Sequence, residues 1–176
     1  MVTSDYQIVL EQERHQGGVR TLLSKAFGPG RMMRAIYRMR AAIPPDPALC
    51  FVMVNKHDMV LGVVRNYRVC VGNSSARAVL LGPIATAASH GRIGIAAQLM
   101  HHAIAAIRAA GFDMIYLVGD PDYYGEFGFM PDGGVHIREL EAGKVILSLA
   151  VTADALPTGE IKMDDQILLE QSQRRD

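Results

Sequence analysis

The feature that most constrains the fold is an alanine-rich segment, Ile93 to Ala110, which lies between two β-rich runs. Its apolar residues recur every three or four positions, and Gly111 follows where helices usually end. The flanking runs, Ala76 to Thr86 and Met114 to Val118, have the composition of strands. This order predicts a strand–helix–strand crossover with the helix packed on a sheet. Its sheet-facing residues are predicted to be Ala96, Leu99, Met100, Ala103 and Ile107, and its outward residues Gln98, His101, His102, Ala105 and Arg108.

The rest of the chain carries the pattern of an α/β (α+β) protein. Before residue 49 the apolar spacing is mainly helical, and after it the spacing becomes that of strands separated by turns. Successive strands with short turns predict an antiparallel meander. The other predicted elements are a strand over Gln7–Leu10, helices over Val19–Phe27 and Met32–Arg40, strands over Cys50–Val54 and Met59–Val71, a short helix over Asp122–Phe127, and late strands over Val145–Val151 and Gly159–Met163.

The composition is that of an ordinary globular domain. Of the 176 residues, 49% are hydrophobic and 20% are charged, which is enough apolar surface for a buried core. The length predicts one domain over residues 1–176, and the polar composition of residues 164–176 predicts a tail that frays. The 18 basic and 18 acidic residues balance, so the net charge offers no general attraction for nucleic acid or for an anionic membrane. We therefore expect no nucleic-acid partner.

The cysteines and the apolar runs bear on the cellular compartment. Cys50 and Cys70 lie in apolar segments without C-x-x-C spacing, which predicts reduced core residues. The first residues lack the basic flank and apolar stretch of a signal peptide, and no apolar run reaches the roughly 20 residues that span a bilayer. These features predict a cytoplasmic protein that does not enter a membrane.

The segment at the start of the long helix, Gly91-Arg92-Ile93-Gly94-Ile95-Ala96, is the first sign of chemistry. Small residues there would let backbone N–H groups approach an anion, and the helix dipole favours negative charge at that end. The patterns of a P-loop and of a dinucleotide fingerprint are both absent. Taken alone, the segment fits a tight strand-to-helix connection at least as well as a phosphate site, and both interpretations stay open.

Three motifs occur in order: the strand Leu81–Thr86, the helix start Gly91–Ala96, and the segment Gly119–Phe129, which reads GDPDYYGEFGF. Together they resemble the GNAT family of N-acetyltransferases. The helix start is similar to the family's coenzyme A signature, with Gly91 at the position usually held by Arg or Gln and Arg92 one residue later. The strand is similar to the one that runs beside the pantetheine arm, and the last segment resembles the ending of one branch of predicted acetyltransferases.

The resemblance implies both a fold and a co-substrate. The fold is a mixed, mostly antiparallel twisted sheet flanked by helices, with two central strands that splay apart to admit the cofactor. The co-substrate is acetyl-CoA (coenzyme A), with strand backbone facing pantetheine and amides of the helix start facing pyrophosphate. The resemblance implies a cofactor-binding core at about 80–131. The implied cofactor-binding residues are Ile84, Ala85, Thr86, Gly91, Arg92, Ile93, Gly94, Ile95, Ala96, Tyr124 and Phe127.

The resemblance also implies a catalytic residue. Tyr124 falls on the tyrosine of the family's Y-x-x-x-G-F ending, where it is positioned to protonate the departing thiolate of coenzyme A. A phenol suits this role because its ordinary pKa of about 10 keeps it protonated at neutral pH. No general base is identified, because the nearby Glu126 is expected to face solvent on a short helix.

Other polar residues have simpler interpretations. His101 and His102 are neighbours on a helix and point about 100° apart, so they do not share a metal ion. No other histidine has a partner at ligand spacing, and we expect no metal site. Asp120 precedes Pro121 and is expected to form a turn and cap a helix.

The region around the second predicted helix is rich in Arg and Met. Arginines at helical spacing predict a solvated face, and methionines at this spacing are typical of a core. The alternative for the arginines is that they attract an acidic acceptor or the 3′-phosphate of the coenzyme. In the resembled family the first two helices help to enclose the acceptor site, so lining that site is the alternative for the apolar residues. The residues concerned are Arg31, Arg34, Arg38 and Arg40 for the basic face, and Met32, Met33 and Tyr37 for the apolar one.

The sequence therefore predicts an enzyme that moves the acetyl group of acetyl-CoA to an amine of a small molecule or peptide by direct attack. The alternative is a non-catalytic coenzyme A-binding or sensory module of the same fold, because Gly91 replaces the usual polar residue and no base is evident. A monomer or a homodimer is expected, since a strand edge near the C-terminus would offer a pairing surface.

Overall fold

The computed structural model describes residues 5–88, 94–153 and 156–166, which form one sheet with helices on both faces. No helix in these ranges is long and apolar enough to cross a membrane. The helices are α1 (Gln16–Phe27), α2 (Ala35–Ala41), α3 (Ile95–Ala109) and α4 (Pro121–Gly125). The strands are β1 (Tyr6–Leu10), β2 (Phe51–Asn55), β3 (Val60–Val71), β4 (Ala78–Thr86), β5 (Met114–Gly119), β6 (Met130–Pro131), β7 (Val135–His136), β8 (Val145–Ala150) and β9 (Gly159–Met163).

The sheet is largely antiparallel, with a parallel junction near its centre. Strands β1 to β4 pair antiparallel in sequence order, which confirms the predicted meander. The chain then crosses over through α3, and β5 pairs parallel to β4, as the strand–helix–strand pattern predicts. β8 pairs antiparallel with both β5 and β6, while β9 pairs with the end of β3 and with β7. The predicted mixed, mostly antiparallel fold is confirmed.

The parallel junction between β4 and β5 is short, and the two strands part beyond it. Their register ends at Leu80 and Tyr116. Beyond this pair, β4 bonds only to β3 and β5 only to β8 within the part of the chain that is described. A gap therefore opens between Leu81–Thr86 and Leu117–Gly119.

Apolar side chains cover both faces of this sheet. Alternation along β2 sends Phe51 and Met53 to the face that α3 covers, and Val52 and Val54 to the face that α1 covers. On α3, the predicted inward residues Leu99, Met100, Ala103 and Ile107 are fully buried, and the predicted outward residues Gln98, His101, His102, Ala105 and Arg108 are exposed. Helices α2 and α3 thus lie on opposite faces, with the gap between β4 and β5 in the sheet that separates them.

Several predictions of burial are wrong, for reasons of local geometry. Cys50 is buried as expected, but Cys70 is exposed, because alternation along β3 gives the inward positions to its neighbours. Met32 and Met33 are 50% and 77% exposed rather than core residues. They end a 3₁₀ turn that precedes α2, so they do not share its buried face. Strands β6 and β7 have two residues each, too few to show a period in the sequence.

Candidate active site

A cavity of about 490 Å³ lies where β4 and β5 part. Leu81–Ile84 line it from β4, Leu117–Gly119 from β5, and Tyr124 from α4. On the α2 side it is lined by Tyr37 and Arg40, and the segment that leads into β8 closes the remaining side. The cavity therefore occupies the gap that the pairing pattern opens.

A bulge shapes the β4 side of the cavity. In the β3–β4 pairing, Val64 faces Ile84 and Asn66 faces Leu81, so β4 has one residue more than β3 between these pairs. Such an insertion bends the strand that carries it. Within the bulge Gly82 has a φ of +106°, and a Cβ there would lie 2.9 Å from Nη2 of Arg40. Glycine at this position therefore allows both the backbone conformation and the close approach of Arg40.

Tyr124 is positioned by the turn that joins β5 to α4. The carboxylate of Asp120 accepts the N–H of Asp122 at 3.0 Å, and Pro121 occupies the first helical position, which confirms the predicted cap. The Tyr124 ring lies directly against Gly119, where any Cβ would collide with its Cε2 atom. The absence of a side chain at Gly119 is thus what lets the ring reach the cavity.

The surroundings of Tyr124 keep its hydroxyl protonated. The ring is half-buried, with edge contacts to Tyr123 and Phe129 at centroid distances of 4.9 and 6.3 Å. Burial raises the pKa of Tyr124, and the neighbouring Tyr123 raises it further, against a lowering effect of Arg40. Tyr123 itself is 40% exposed and does not line the cavity. Of the two adjacent tyrosines, only Tyr124 lines the cavity.

The start of α3 lies over the end of β4. Ile95 is buried against Gly62 of β3, whose Cβ would be 2.5 Å from Cγ2 of Ile95, and Gly62 pairs with Thr86. Gly94 adopts the left-handed conformation with a φ of +63°, and no described residue lies within 4 Å of the position of a Cβ. The conformation alone accounts for a glycine at this position.

The structure separates the predicted cofactor-binding residues into groups. Ile84 and Tyr124 line the cavity. Ala85 is buried against the α1 side, and Ala96 is half-buried in the first turn of α3. Phe127 lies outside the cavity lining, with its ring 5.2 Å from that of His101. The remaining predicted residues of the helix start, Gly91, Arg92 and Ile93, lie outside the described residues.

Arg40 points into the cavity, so its predicted place on a solvated face is wrong. Its Nη2 donates to the backbone oxygen of Leu81 at 3.1 Å, and the guanidinium carbon lies 5.8 and 5.5 Å from the ring centroids of Tyr37 and Tyr67. Burial lowers the pKa of Arg40 to about 10, with Tyr67 and Tyr37 acting in the opposite direction. The side chain is therefore still charged at neutral pH.

Tyr37 and Arg40 are the site residues that sequence reasoning missed or left undecided. They are three positions apart on α2, which places them on neighbouring parts of one helix face. That spacing is the sequence signal for two side chains that line one site. The same spacing also occurs in a helix that buries an apolar face and has a charged residue at the edge of that face. For metals, the described residues contain no group of three or more His, Cys, Asp or Glu that could hold an ion. As expected, Glu126 is exposed on the surface.

Comparison with known proteins identifies the family. The family model described as Acetyltransferase (GNAT) domain matches residues 12–131. Since this is more than half of the chain, the protein belongs to the GNAT acetyltransferase family. A search of curated protein sequences found no match. Membership confirms the family seen in the three motifs, while the branch suggested by GDPDYYGEFGF stays a prediction.

Solved structures show the same fold. One is the GNAT family N-acetyltransferase YhbS from Escherichia coli in complex with CoA, at 20% identity and a TM-score of 0.77 over 93% of this chain and 92% of that one. Another is a GNAT family acetyltransferase from Brucella melitensis in complex with acetyl-CoA, at 22% identity and a TM-score of 0.66 over 92% and 97%. A third is the NatC complex bound to Gag peptide and CoA, at 17% identity and a TM-score of 0.66 over 85% and 100%. These TM-scores establish a shared fold.

Proposed function

We propose that this protein is an N-acetyltransferase that moves the acetyl group of acetyl-CoA to an amine of a small molecule or peptide. The observation that carries the proposal is the cavity between the parted strands β4 and β5, with Tyr124 on its lining. The structural neighbours crystallised with CoA or acetyl-CoA support it. A cytoplasmic location and a monomer or homodimer remain predictions from the sequence.

The residues present fit acetyl-CoA. The edge of β4 beyond Leu80 has no β5 partner, so backbone groups of Ile84 and Thr86 are the proposed contacts for the pantetheine arm. The first turn of a helix has N–H groups without intrahelical partners. At α3 no described residue lies within 4 Å of a Cβ at Gly94, and we assign the pyrophosphate to the amides from Arg92 to Ala96.

Tyr124 is the proposed general acid. Bound acetyl-CoA supplies the thioester. The nitrogen of a neutral amine forms a bond to the carbonyl carbon of this thioester, and the C–S bond breaks. The hydroxyl of Tyr124 gives its proton to the leaving sulfur, and its raised pKa keeps that proton available. The proton lost by the amine goes to water or to a carboxylate that is not assigned. The Gly119 contact holds the ring in place for this transfer.

A turnover screen tests the proposed function. Acetyl-CoA is incubated with the protein and with amines, amino acids or peptides, and the release of free thiol is followed. We expect release that depends on an amine and yields the acetylated product. If the protein binds acetyl-CoA but no amine increases thiol release, the non-catalytic coenzyme A-binding module is the correct assignment.

A further inference from the structure

Two polar groups on α2 are buried without a hydrogen-bond partner in the described part of the structure. They are Nε of Arg40 and the hydroxyl oxygen of Tyr37. Both residues line the cavity between β4 and β5. Buried polar groups are paired in the great majority of cases, so two such groups on one cavity lining indicate a ligand that completes them.

Both groups can donate a hydrogen bond, which narrows the ligands they suit. A guanidinium can donate but cannot accept, and burial raises the pKa of Tyr37, which keeps its hydroxyl protonated and able to donate. Arg40 also carries a positive charge. A negatively charged hydrogen-bond acceptor therefore matches both groups at once. The planar fork of N–H groups on a guanidinium matches the two oxygens of a carboxylate, with which it forms two parallel hydrogen bonds.

The other charges around the cavity favour an anion too. Its acidic residues already have backbone partners: Glu141 accepts the N–H of Ala35 at 2.8 Å, and Asp120 accepts that of Asp122 at 3.0 Å. The basic residues Arg34 and Lys144 line the cavity from exposed positions. Neither carboxylate forms an ion pair with Arg40 among the described residues, and the three basic side chains of the lining outnumber the two acidic ones.

We propose that the acceptor amine carries a carboxylate, which Arg40 and Tyr37 bind at the α2 side of the cavity. This inference rests on the acetyl-transfer function proposed above. Arg40 contacts β4 at Leu81, just where the gap begins, and Tyr124 lies against the end of β5 at Gly119. An amino acid anchored at Arg40 therefore enters the same gap that Tyr124 lines.

The test compares acceptors that differ in the carboxylate. A panel of α- and ω-amino acids is assayed beside their carboxamides and the corresponding aminophosphonates. We expect kcat/KM to favour an amino acid over its carboxamide by on the order of 10- to 100-fold, mainly through KM. Arg40→Gln should remove this preference by lowering kcat/KM for the amino acid but not for its carboxamide. Tyr37→Phe should reduce the preference by several-fold. Equal rates for acid and carboxamide, or an equal preference for the phosphonate, would overturn the assignment.

A matched control lies on the same helix. Arg38 is exposed and pairs with Glu139 at 2.8 Å, outside the cavity lining. Arg38→Gln should leave the preference for the carboxylate unchanged. If Arg40→Gln does not fold, Arg40→Lys keeps the charge without the planar fork and should retain a reduced preference. A loss in Arg40→Gln that is equal for acids and carboxamides would assign Arg40 to acetyl-CoA or to the reaction, against the proposal.

A binding measurement separates this inference from the proposed function. If no amine is acetylated, the proposed function fails, and calorimetry with the N-acetylated amino acids and their carboxamides in the presence of CoA tests the carboxylate site. We expect binding of the acids to weaken by about 10-fold or more in Arg40→Gln. Absence of binding by these acids at the wild-type protein would overturn the carboxylate site as well.

Discussion

The two sides of the gap use different chemical groups. What we call the strand side consists of Leu81–Thr86 and Gly94–Ala96. The proposed contacts there are backbone groups, and two of the residues, Gly82 and Gly94, have positive φ values. On what we call the helix side, the proposed contacts are the side chains of Tyr37 and Arg40 on α2, which line the cavity. Backbone groups are the same whichever acceptor is bound, so the strand side suits a constant co-substrate. Side chains can select among ligands, so the helix side suits recognition of the acceptor.

This difference has consequences for mutants. Changes on the strand side, or at Tyr124, should affect turnover with every acceptor. Changes on the helix side should affect the choice between acceptors and leave acetyl-CoA binding intact.

The largest effect is expected for Gly94→Glu on the strand side. It places bulk and a negative charge in the open space at the start of α3, where the pyrophosphate is proposed to bind. Acetyl-CoA should then no longer raise the melting temperature, and turnover should be lost for all acceptors. Gly94→Asn is the control for backbone strain, because Asn tolerates a left-handed φ. Unchanged cofactor affinity in the Glu variant would move the phosphate site elsewhere.

Tyr124→Phe should lower kcat by about 100-fold or more, again for every acceptor. The ring keeps its contacts with Gly119 and Phe129, so the melting temperature should change little. Tyr123→Phe is the matched control, since that neighbour is exposed and outside the cavity lining. An unchanged kcat in the Tyr124 variant, or a greater loss in the Tyr123 variant, would show that the acid is wrongly assigned.

Gly119→Ala tests whether the position of the Tyr124 ring matters. The added Cβ would collide with Cε2 of Tyr124, so the ring must shift, and we expect kcat to fall about 10-fold while acetyl-CoA still stabilises the protein. Gly125→Ala is the matched control in α4, because no atom in the described part of the chain lies within 4 Å of a Cβ there. Equal kcat values for the two variants would indicate that the contact with Gly119 has no role in catalysis.

The smallest effect concerns the pH dependence. Burial raises the pKa of Tyr124 above the ordinary tyrosine value, so its proton is lost only at a higher pH than usual. We therefore expect kcat to show no fall due to this residue between neutral pH and about pH 10. A fall in kcat within that range that disappears in Tyr124→Phe would contradict the raised pKa.

Local patterns predicted the elements that define the strand side. The crossover through α3 followed from helical spacing between two strand-like runs, and the cap at Asp120 from its place before Pro121. The gap itself could not be predicted from local patterns, because no sequence signal marks the end of the β4–β5 pairing at Leu80 and Tyr116. Only the resemblance to the family implied it.

The helix side could not be predicted in the same way. Which way Arg40 faces depends on how α2 packs on the sheet, and α2 begins after the 3₁₀ turn rather than at Met32. The basic residues Arg34, Arg38 and Arg40 look alike in the sequence, but only Arg40 contacts the β4 backbone at Leu81 in the described structure. Tertiary packing, and not spacing, separates it from its neighbours.

The most direct test of the account is the effect of acetyl-CoA on the stability of the folded protein. Acetyl-CoA at about a hundredfold excess over its dissociation constant should raise the free energy of unfolding by about 2.7 kcal/mol, which a thermal melt detects. ADP should stabilise the protein more weakly, because it reaches only the phosphate end of the site. No shift with millimolar acetyl-CoA, in protein shown to be folded, would contradict both the acetyltransferase and the coenzyme A-binding module.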